Sequence, residues 1–241
     1  MLTAIVLARA KSTRLPEKHF KKIGKSSLIN IILERLKLNK NINKIIICTG
    51  SYKNNFKFNK LIDRKKNITV KYFGNEEDVT SRVYKVTKKI DTKYSIIISG
   101  DCPVIDNKFI DKSFEIIKKL KKDFILQSKK VNHEGTLIFK TKSWKKVFQF
   151  SDTKQFKEHP GSVLKFKKKD FNIGYFSLKK FVNSKIRLSI DTKSDLDFFN
   201  LIFHTLKEKK KMFDYQNVIK LKNFKYVNNH VVQVKVKDKI K

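Results

Sequence analysis

Short apolar runs alternate along the chain with longer stretches in which apolar residues recur at helical spacing. We predict strands at the short runs, because apolar segments of this length bounded by polar turns are typical of strands buried in a parallel sheet. The predicted strands cover residues 2–8, 44–49, 68–73, 94–99 and 123–127. The predicted helices cover residues 28–38, 56–64, 76–90, 107–120 and 194–206. This alternation predicts an α/β fold with a mostly parallel, doubly wound sheet.

After residue 130 the pattern becomes shorter and less regular. We interpret residues 130–186 as an excursion from the sheet that shapes a substrate pocket or a subunit contact, within a single domain covering residues 1–241. The run Arg187 to Asp191 (RLSID) then predicts a last short strand before the helix at residues 194–206.

Polar side chains follow three of these predicted strands. Asp101 follows the strand at residues 94–99, and Asp191 ends the RLSID run. The first strand is followed by a basic, hydroxyl-bearing loop that contains Arg9, Ser12, Thr13, Arg14 and Lys18. Right-handed crossovers place the carboxyl ends of parallel strands at one edge of the sheet, where open α/β sheets bind their ligands. We therefore expect these side chains to meet in one site.

The chemistry of that edge suits a nucleoside triphosphate. Arg and Lys together with turning backbone amides can surround phosphates and neutralise the charge that develops on a pyrophosphate leaving group. Asp101 and Asp191 are candidate Mg²⁺ ligands, because this ion requires only one or two protein carboxylates when phosphate oxygens complete its shell. The structural alternatives are a solvated basic loop, a turn-forming Asp101 and a helix-capping Asp191.

The segment Gly24-Lys25-Ser26 resembles the end of a P-loop, but the full pattern requires a glycine at position 19, which is His19. We interpret Gly24 as a turn residue, and Ser26 and Ser27 as the candidate caps of the helix at residues 28–38. Cys48 and Cys102 lack the spacing of a zinc site, and we expect Cys102 to pack in the core.

Arg82 lies one turn into the helix predicted at residues 76–90, whose first turn carries Glu76, Glu77 and Asp78. Two interpretations remain open here. Arg82 contacts a base or a phosphate, or it forms an ordinary surface ion pair with Asp78 at i, i+4 spacing.

The formal net charge of +35 raises the possibility of a nucleic-acid partner. We favour compositional bias as its cause, because the lysines are spread over the chain and no recognition helix or aromatic RNA-binding motif accompanies them. Only six of the 57 basic residues are arginine, so positions that carry Arg are candidates for bidentate phosphate contacts. We find no membrane span or signal peptide and expect a cytoplasmic protein with no nucleic-acid partner.

The segment AIVLARAKSTRLPEKHF, with EEDVTSR, GDCPVID and RLSIDTKSDL, resembles the cytidylyltransferases that activate acidic sugars, such as the 3-deoxy-manno-octulosonate (Kdo) and acylneuraminate enzymes. The spore coat polysaccharide biosynthesis protein F type is the most similar branch. The resemblance also includes the weaker segments HEGTLIF, KEHPGSV and NNHVVQ, and so covers most of the chain.

This resemblance implies the three-layer αβα nucleotide-diphospho-sugar transferase fold, a homodimer, and Mg²⁺-dependent transfer of CMP from CTP to a small acidic acceptor with release of pyrophosphate. It assigns Arg9, Arg14 and Lys18 to catalysis and Asp101 and Asp191 to Mg²⁺. It places the nucleotide against Leu7, Ala8, Ala10, Ser12, Thr13, Arg82 and Gly100. Candidate acceptor contacts are His133, His159 and Arg187.

The sequence departs from the family pattern at Lys11 and Glu17, where relatives usually have glycine, and at the segment His159-Pro160-Gly161. Two alternatives follow. The acceptor is a small phosphonate or phosphate compound, or the protein is a related glycosyltransferase. The second is disfavoured because Pro103, rather than a second aspartate, lies two residues after Asp101.

Overall fold

The computed structural model describes residues 1–127, 136–176, 188–206 and 217–218. Within these ranges the strands are β1 Leu2–Leu7, β2 Lys22–Ile23, β3 Ser26–Ser27, β4 Ile42–Thr49, β5 Ile68–Tyr72, β6 Tyr94–Ser99, β7 Phe124–Gln127, β8 Thr136–Lys140 and β9 Ile173–Phe176. Seven of them form one sheet in the order β5-β4-β1-β6-β8-β7-β9, and β2 and β3 form a separate short hairpin. All neighbours in the large sheet are parallel except β8, which is antiparallel to both β6 and β7.

Helices pack on both faces of this sheet. They are α1 Leu28–Lys37, α2 Tyr52–Asn55, α3 Val79–Thr87, α4 Asn107–Lys119, α5 Trp144–Phe150, α6 Lys154–Glu158, α7 Val163–Phe166 and α8 Lys193–Leu206. Alternate residues of β1 enter different cores: Ala4 and Val6 pack in one cluster with residues of α1, α4 and α8, and Ile5 packs in the other with residues of α3 and α5. The predicted α/β fold with a mostly parallel sheet between helical layers is therefore confirmed. No helix among the described residues is long and apolar enough to cross a membrane.

The apolar runs located the central strands well. The run at residues 94–99 is β6 without change, and the helix predicted at 28–38 is α1, whose cap is Ser27 rather than Ser26. Gly24 is a turn residue with φ +58° between β2 and β3, which confirms that the Gly24-Lys25-Ser26 segment is no P-loop.

Two helix predictions need correction. Residues 56–64 do not form an α-helix: the short α2 precedes a 3₁₀ segment, Phe56–Leu61. The helix predicted at residues 76–90 begins only at Val79, because the side chain of Asp78 accepts a hydrogen bond from the Ser81 amide and caps it there. Glu76 and Glu77 therefore lie before the helix rather than in its first turn.

The prediction that residues 130–186 leave the sheet is wrong, because two segments of this range are strands of the sheet. Residues 136–140 and 173–176 are the strands β8 and β9, and it is α5, α6 and α7 that lie between them.

The strand predicted at RLSID is also wrong for its described part, residues 188–191, because both edges of β6 are already paired, with β1 and with β8. The segment instead makes one backbone hydrogen bond beyond the end of β6, from the Ile190 amide to the Asp101 carbonyl at 2.8 Å. This contact still brings Asp191 to the predicted site.

Candidate active site

The site is built where β1 and β6 end side by side. Leu7 pairs with Ser99 in the parallel register, and the Gly100 amide donates to the Leu7 carbonyl at 2.8 Å. A Cβ atom at Gly100 would lie 2.4 Å from the Leu7 carbonyl oxygen and 3.0 Å from the Ala8 side chain. Glycine thus allows the loops that follow the two strands to approach each other closely.

Lys18 lies at the centre of this site. It begins the 3₁₀ turn Lys18–Phe20, and its Nζ lies 2.8 Å from Asp101 Oδ2 and 2.8 Å from Asp191 Oδ1. Arg14 Nη2 lies 3.2 Å from the same Asp191 oxygen. Four side chains predicted separately from the sequence are therefore brought into one charged cluster: Arg14, Lys18, Asp101 and Asp191.

The charges in this cluster stabilise one another. Burial disfavours the Lys18 ammonium, but the attraction of Asp101 and Asp191 outweighs burial and raises the pKa of Lys18. Burial would likewise raise the pKa of Asp101, yet the Lys18 charge and hydrogen bonds from Lys18 and Ser99 hold that pKa below its usual value. The Ser99 hydroxyl donates to Asp101 Oδ1 at 2.5 Å. At neutral pH the cluster therefore contains a charged lysine and a charged Asp101.

Asp191 is held in place by the start of α8 rather than capping that helix. Asp195 Oδ2 accepts hydrogen bonds from the Asp191 and Thr192 amides, each at 2.8 Å, and from the Thr192 hydroxyl at 2.9 Å. The Thr192 hydroxyl in turn accepts from the Asp195 amide at 3.2 Å, which makes Thr192 and Asp195 a reciprocal cap. The interpretation of Asp191 as a helix cap is therefore wrong, and its carboxylate is directed to Lys18 and Arg14.

The two carboxylates fit a divalent cation. Because one ammonium contacts both at 2.8 Å, a single cation position is shared by Asp101 Oδ2 and Asp191 Oδ1. Within the described ranges no cluster of three His, Cys, Asp or Glu side chains is placed to hold a metal. A donor set of two carboxylates suits Mg²⁺, which retains water and phosphate oxygens as its other ligands.

A second polar cluster lies beside the loop, after the ends of β4 and β5. Glu76 Oε1 accepts from Asn55 Nδ2 at 2.8 Å and from the Ser51 amide at 3.2 Å, while Oε2 lies 3.9 Å from Arg82 Nη1. Arg9 Nη1 donates to the Glu76 backbone carbonyl at 3.4 Å, which connects this cluster to the loop after β1.

Arg82 is 3% exposed, so the alternative of an ordinary surface ion pair with Asp78 is wrong. Its Nε and Nη1 have no hydrogen-bond partner in the part of the chain that the structure describes. Burial lowers the pKa of Arg82, while nearby Cys48 and Glu76 counteract this effect. Burial raises the pKa of the Cys48 thiol to about 12, so this residue is no nucleophile at neutral pH.

The rest of the basic loop surrounds these two clusters. Ala8 and Ala10 are buried, Leu7, Arg9 and Ser12 are half-buried, and Lys11 and Thr13 are exposed. Glu17 has φ +53°, a left-handed conformation that glycine adopts without strain, and its amide closes the loop onto the Ala10 carbonyl at 3.2 Å.

The candidate acceptor residues are not brought to this cluster. His133 and Arg187 lie outside the described residues. His159 is exposed at the end of α6, a helix whose Phe156 carbonyl accepts a hydrogen bond from Thr80 of α3.

Sequence reasoning missed three residues that shape the site: His19, Asn55 and Asp195. The T-x-x-D spacing of Thr192 and Asp195 is a capping signal that could have identified the last. No signal singled out Asn55 in an asparagine-rich turn, or His19, whose imidazole is buried next to Lys18. Burial and the Lys18 charge lower the pKa of His19 to about 3, so its ring is neutral at neutral pH.

A parallel sheet with basic side chains after its first strand and a carboxylate pair at the adjacent strand end defines an enzyme of the nucleotidyltransferase class. A family model described as cytidylyltransferase matches residues 3–229, and the chain belongs to that family. It is accordingly an enzyme of the type that transfers CMP from CTP.

Individual relatives are more distant. The uncharacterized protein MJ1063 of Methanocaldococcus jannaschii is 28% identical over 219 residues, which cover 90% of this chain and 86% of that protein. A cytidylyltransferase structure from Leptospira borgpetersenii superposes with a TM-score of 0.82 at 22% identity, covering 96% of this chain and 98% of that one. A CMP:2-keto-3-deoxy-manno-octonic acid synthetase in complex with CTP has a TM-score of 0.67 at 13% identity, covering 85% and 99%. These two structures share the fold.

Proposed function

We propose that the chain is a Mg²⁺-dependent cytidylyltransferase that transfers CMP from CTP to an acidic sugar of the Kdo or sialic-acid type, for surface polysaccharide biosynthesis. The observation that carries this proposal is the shared cation position between Asp101 and Asp191, directly beside the basic loop. The structurally similar CMP:2-keto-3-deoxy-manno-octonic acid synthetase, whose acceptor is an acidic sugar, supports the choice of acceptor.

The reaction divides between the basic loop and the carboxylate pair. Arg9, Arg14 and Lys18, together with Ser12, Thr13 and the loop amides, would bind the triphosphate and stabilise the charge that develops on the pyrophosphate. An acceptor hydroxyl oxygen attacks the α-phosphorus, the bond from that phosphorus to the bridging oxygen of pyrophosphate breaks, and the hydroxyl proton is released to water. Asp101 and Asp191 would hold Mg²⁺, which when bound supplies charge neutralisation at the reacting phosphate.

Lys18 changes partners in this scheme. In the free protein its ammonium occupies the position between the two carboxylates that the metal would take. With Asp101 and Asp191 holding a metal, the Lys18 ammonium would contact phosphate oxygens instead, and the four-carbon side chain of lysine is flexible enough to reach them.

Arg82 is our candidate for contacting the cytosine base. Its Nε–H and Nη1–H groups, which lack hydrogen-bond partners among the described residues, are donors, and cytosine presents acceptors at O2 and N3. Uracil carries a hydrogen on N3, so one of these bonds would be lost with UTP. This assignment of Arg82 predicts a preference for CTP over UTP.

The test is a measurement of pyrophosphate release with CTP, Mg²⁺ and a panel of acceptors comprising Kdo, a sialic acid, and small phosphonates and phosphates. We expect release with a sugar acid, and titration calorimetry should show tighter binding of CTP than of UTP or ATP. Release with a phosphonate and no sugar acid would replace the proposed acceptor. Failure of every acceptor, combined with no preference for CTP, would refute the proposal.

A further inference from the structure

The residue Asn55 connects the two halves of the site. It is the last residue of α2, and its side chain is completely buried. Its Oδ1 accepts from the Ala10 amide in the basic loop at 2.8 Å. Its Nδ2 donates to the Ser51 carbonyl and to Glu76 Oε1, both at 2.8 Å. One amide therefore joins three segments that follow β1, β4 and β5.

The chemistry of these partners fixes the orientation of the amide. Ala10 offers an N–H donor, so the Asn55 oxygen must face it, and the two acceptors on the other side require both hydrogens of the NH₂ group. Aspartate has nearly the same shape but has no donors when it is ionised. The position therefore requires an amide and not only a side chain of this size.

The backbone beside Asn55 is shaped to admit the Glu76 carboxylate. A Cβ atom at Gly50 would lie 2.0 Å from Glu76 Oε2, so any larger residue at position 50 would clash with the carboxylate. Because Gly50 has no side chain, the carboxylate packs against its backbone and is close enough to accept from Asn55. The same Oε2 lies 3.9 Å from Arg82 Nη1, whereas Oε1 is the oxygen that accepts from Asn55. Displacing it would disturb the guanidinium that we assign to the base.

We propose that Asn55 is a positioning residue, which sets the distance between the triphosphate loop and the base-binding Arg82 so that CTP can occupy both at once. This inference rests on the proposed function. A ligand that spans both halves gains from their fixed separation, because the second contact then forms at a high effective concentration. A ligand that occupies one half gains nothing from it.

The experiment compares ligands of different length on the Asn55→Asp variant. Binding of CTP is measured by calorimetry, and CMP and inorganic tripolyphosphate, each with excess Mg²⁺, are measured as competitors of CTP. We expect CTP affinity to fall about 30-fold or more, because a gain from effective concentration is typically about 100- to 10,000-fold and is lost when the two contacts cannot form together. The affinities for CMP and tripolyphosphate should each change less than about threefold.

Three further variants keep the test decisive. Asn54→Asp is the matched control, because exposed Asn54 contacts the same Glu76 oxygen at 3.3 Å and makes no bond to the loop, and CTP binding should remain within about threefold. Asn55→Asp combined with Glu76→Gln places an amide donor opposite the introduced carboxylate, and the double variant should bind CTP about tenfold more tightly than Asn55→Asp alone. Gly50→Ala displaces Glu76 without changing Asn55, and should reproduce the selective loss of CTP if Asn55→Asp proves unfolded by circular dichroism.

Each result decides between distinct conclusions. Equal losses for CTP and tripolyphosphate would overturn the positioning role and make Asn55 a support for the loop alone. Unchanged CTP binding in a folded Asn55→Asp protein would also overturn it, while leaving the proposed function intact. A wild-type protein that binds no CTP would instead refute the proposed function.

Discussion

Replacing Lys18 by methionine removes the ammonium between Asp101 and Asp191 but keeps an unbranched side chain of similar length. In the free protein this leaves two carboxylates that share one cation position, and among the described residues the ion pair that remains is with Arg14, which is half-exposed and 3.2 Å from Asp191. Like charges in such a position disfavour each other, and the pKa of Asp101 should rise once the Lys18 charge and hydrogen bond that lower it are removed. The variant should therefore be less stable at neutral pH.

The structure gives the size of this loss. Removing one partner of a buried ion pair costs about 3–5 kcal/mol, because an uncompensated charge remains. The Lys18 side chain is 10% exposed, and those of Asp101 and Asp191 are 25% and 17% exposed, so water screens part of the repulsion. We accordingly expect a loss of about 3 kcal/mol in the free energy of unfolding at pH 7.

The loss should depend on pH in a defined direction. In the wild type the depressed pKa of Asp101 contributes stability that is present above the unfolded pKa of about 3.9 and is lost as the pH falls through the folded value. The raised pKa of Lys18 contributes stability that is lost only as the pH rises through its folded value, above 10.5. In the variant Asp101 no longer makes this contribution, because burial raises its pKa and Lys18 no longer lowers it, so the difference from wild type should shrink to less than about half near pH 4.

Urea unfolding at pH 7 and pH 4 measures both quantities. The matched control is Lys140→Met, since Lys140 pairs with Asp123 at the same 2.8 Å but both side chains are about a third exposed, and it should cost less than about 1 kcal/mol. A deficit for Lys18→Met below about 1 kcal/mol at pH 7, or one that is equal at the two pH values, would refute this account of the cluster.

Three further predictions each concern one residue. Gly100→Ala should cost about 1–3 kcal/mol in urea unfolding, because the Leu7 carbonyl 2.4 Å from the added Cβ belongs to the backbone; a loss within error would contradict the close approach of β1 and β6. Ser27→Ala removes the hydroxyl that accepts from the Asn30 amide at the start of α1 and should cost about 1 kcal/mol, with Ser26→Ala as a near-neutral comparison. Cys48 should resist a chromogenic disulfide reagent in the folded protein and react after unfolding, since it is buried with a pKa of about 12; rapid reaction of the native thiol would contradict this.

The fold could be predicted largely from the apolar runs. Runs such as residues 94–99 are short, continuous and rich in isoleucine, and this pattern is specific for strands buried on both faces. The antiparallel β8 was not recognised as part of the sheet, because a strand paired on both edges carries no mark of its direction in the sequence. The RLSID run has the composition of a strand, but β6 has no free edge for it, and such competition for an edge is visible only in three dimensions.

The charged half of the site could also be predicted, since Arg14, Lys18, Asp101 and Asp191 all follow from residue type and position after an apolar run. The other half could not. Glu76 was placed in the first turn of a helix, where an acidic residue has an ordinary explanation. The position of the Glu76 carboxylate depends on its hydrogen bond with Asn55 and on the space left because Gly50 has no side chain. Both contacts join residues that are more than 20 positions apart, so the local sequence does not indicate them.

The most direct test of the central claim is pyrophosphate release from CTP by Asp101→Asn and Asp191→Asn at saturating Mg²⁺. Each substitution removes a carboxylate from the shared cation position, and turnover should fall by at least about 1,000-fold, the equivalent of several kcal/mol of charge stabilisation. Asp123→Asn is the control, because Asp123 pairs with Lys140. Lys140 lies opposite Tyr94, the first residue of β6, whereas the site lies after the last residue of β6. Wild-type turnover in either folded site variant would contradict the account, and loss in both with retention in Asp123→Asn is the result that it predicts.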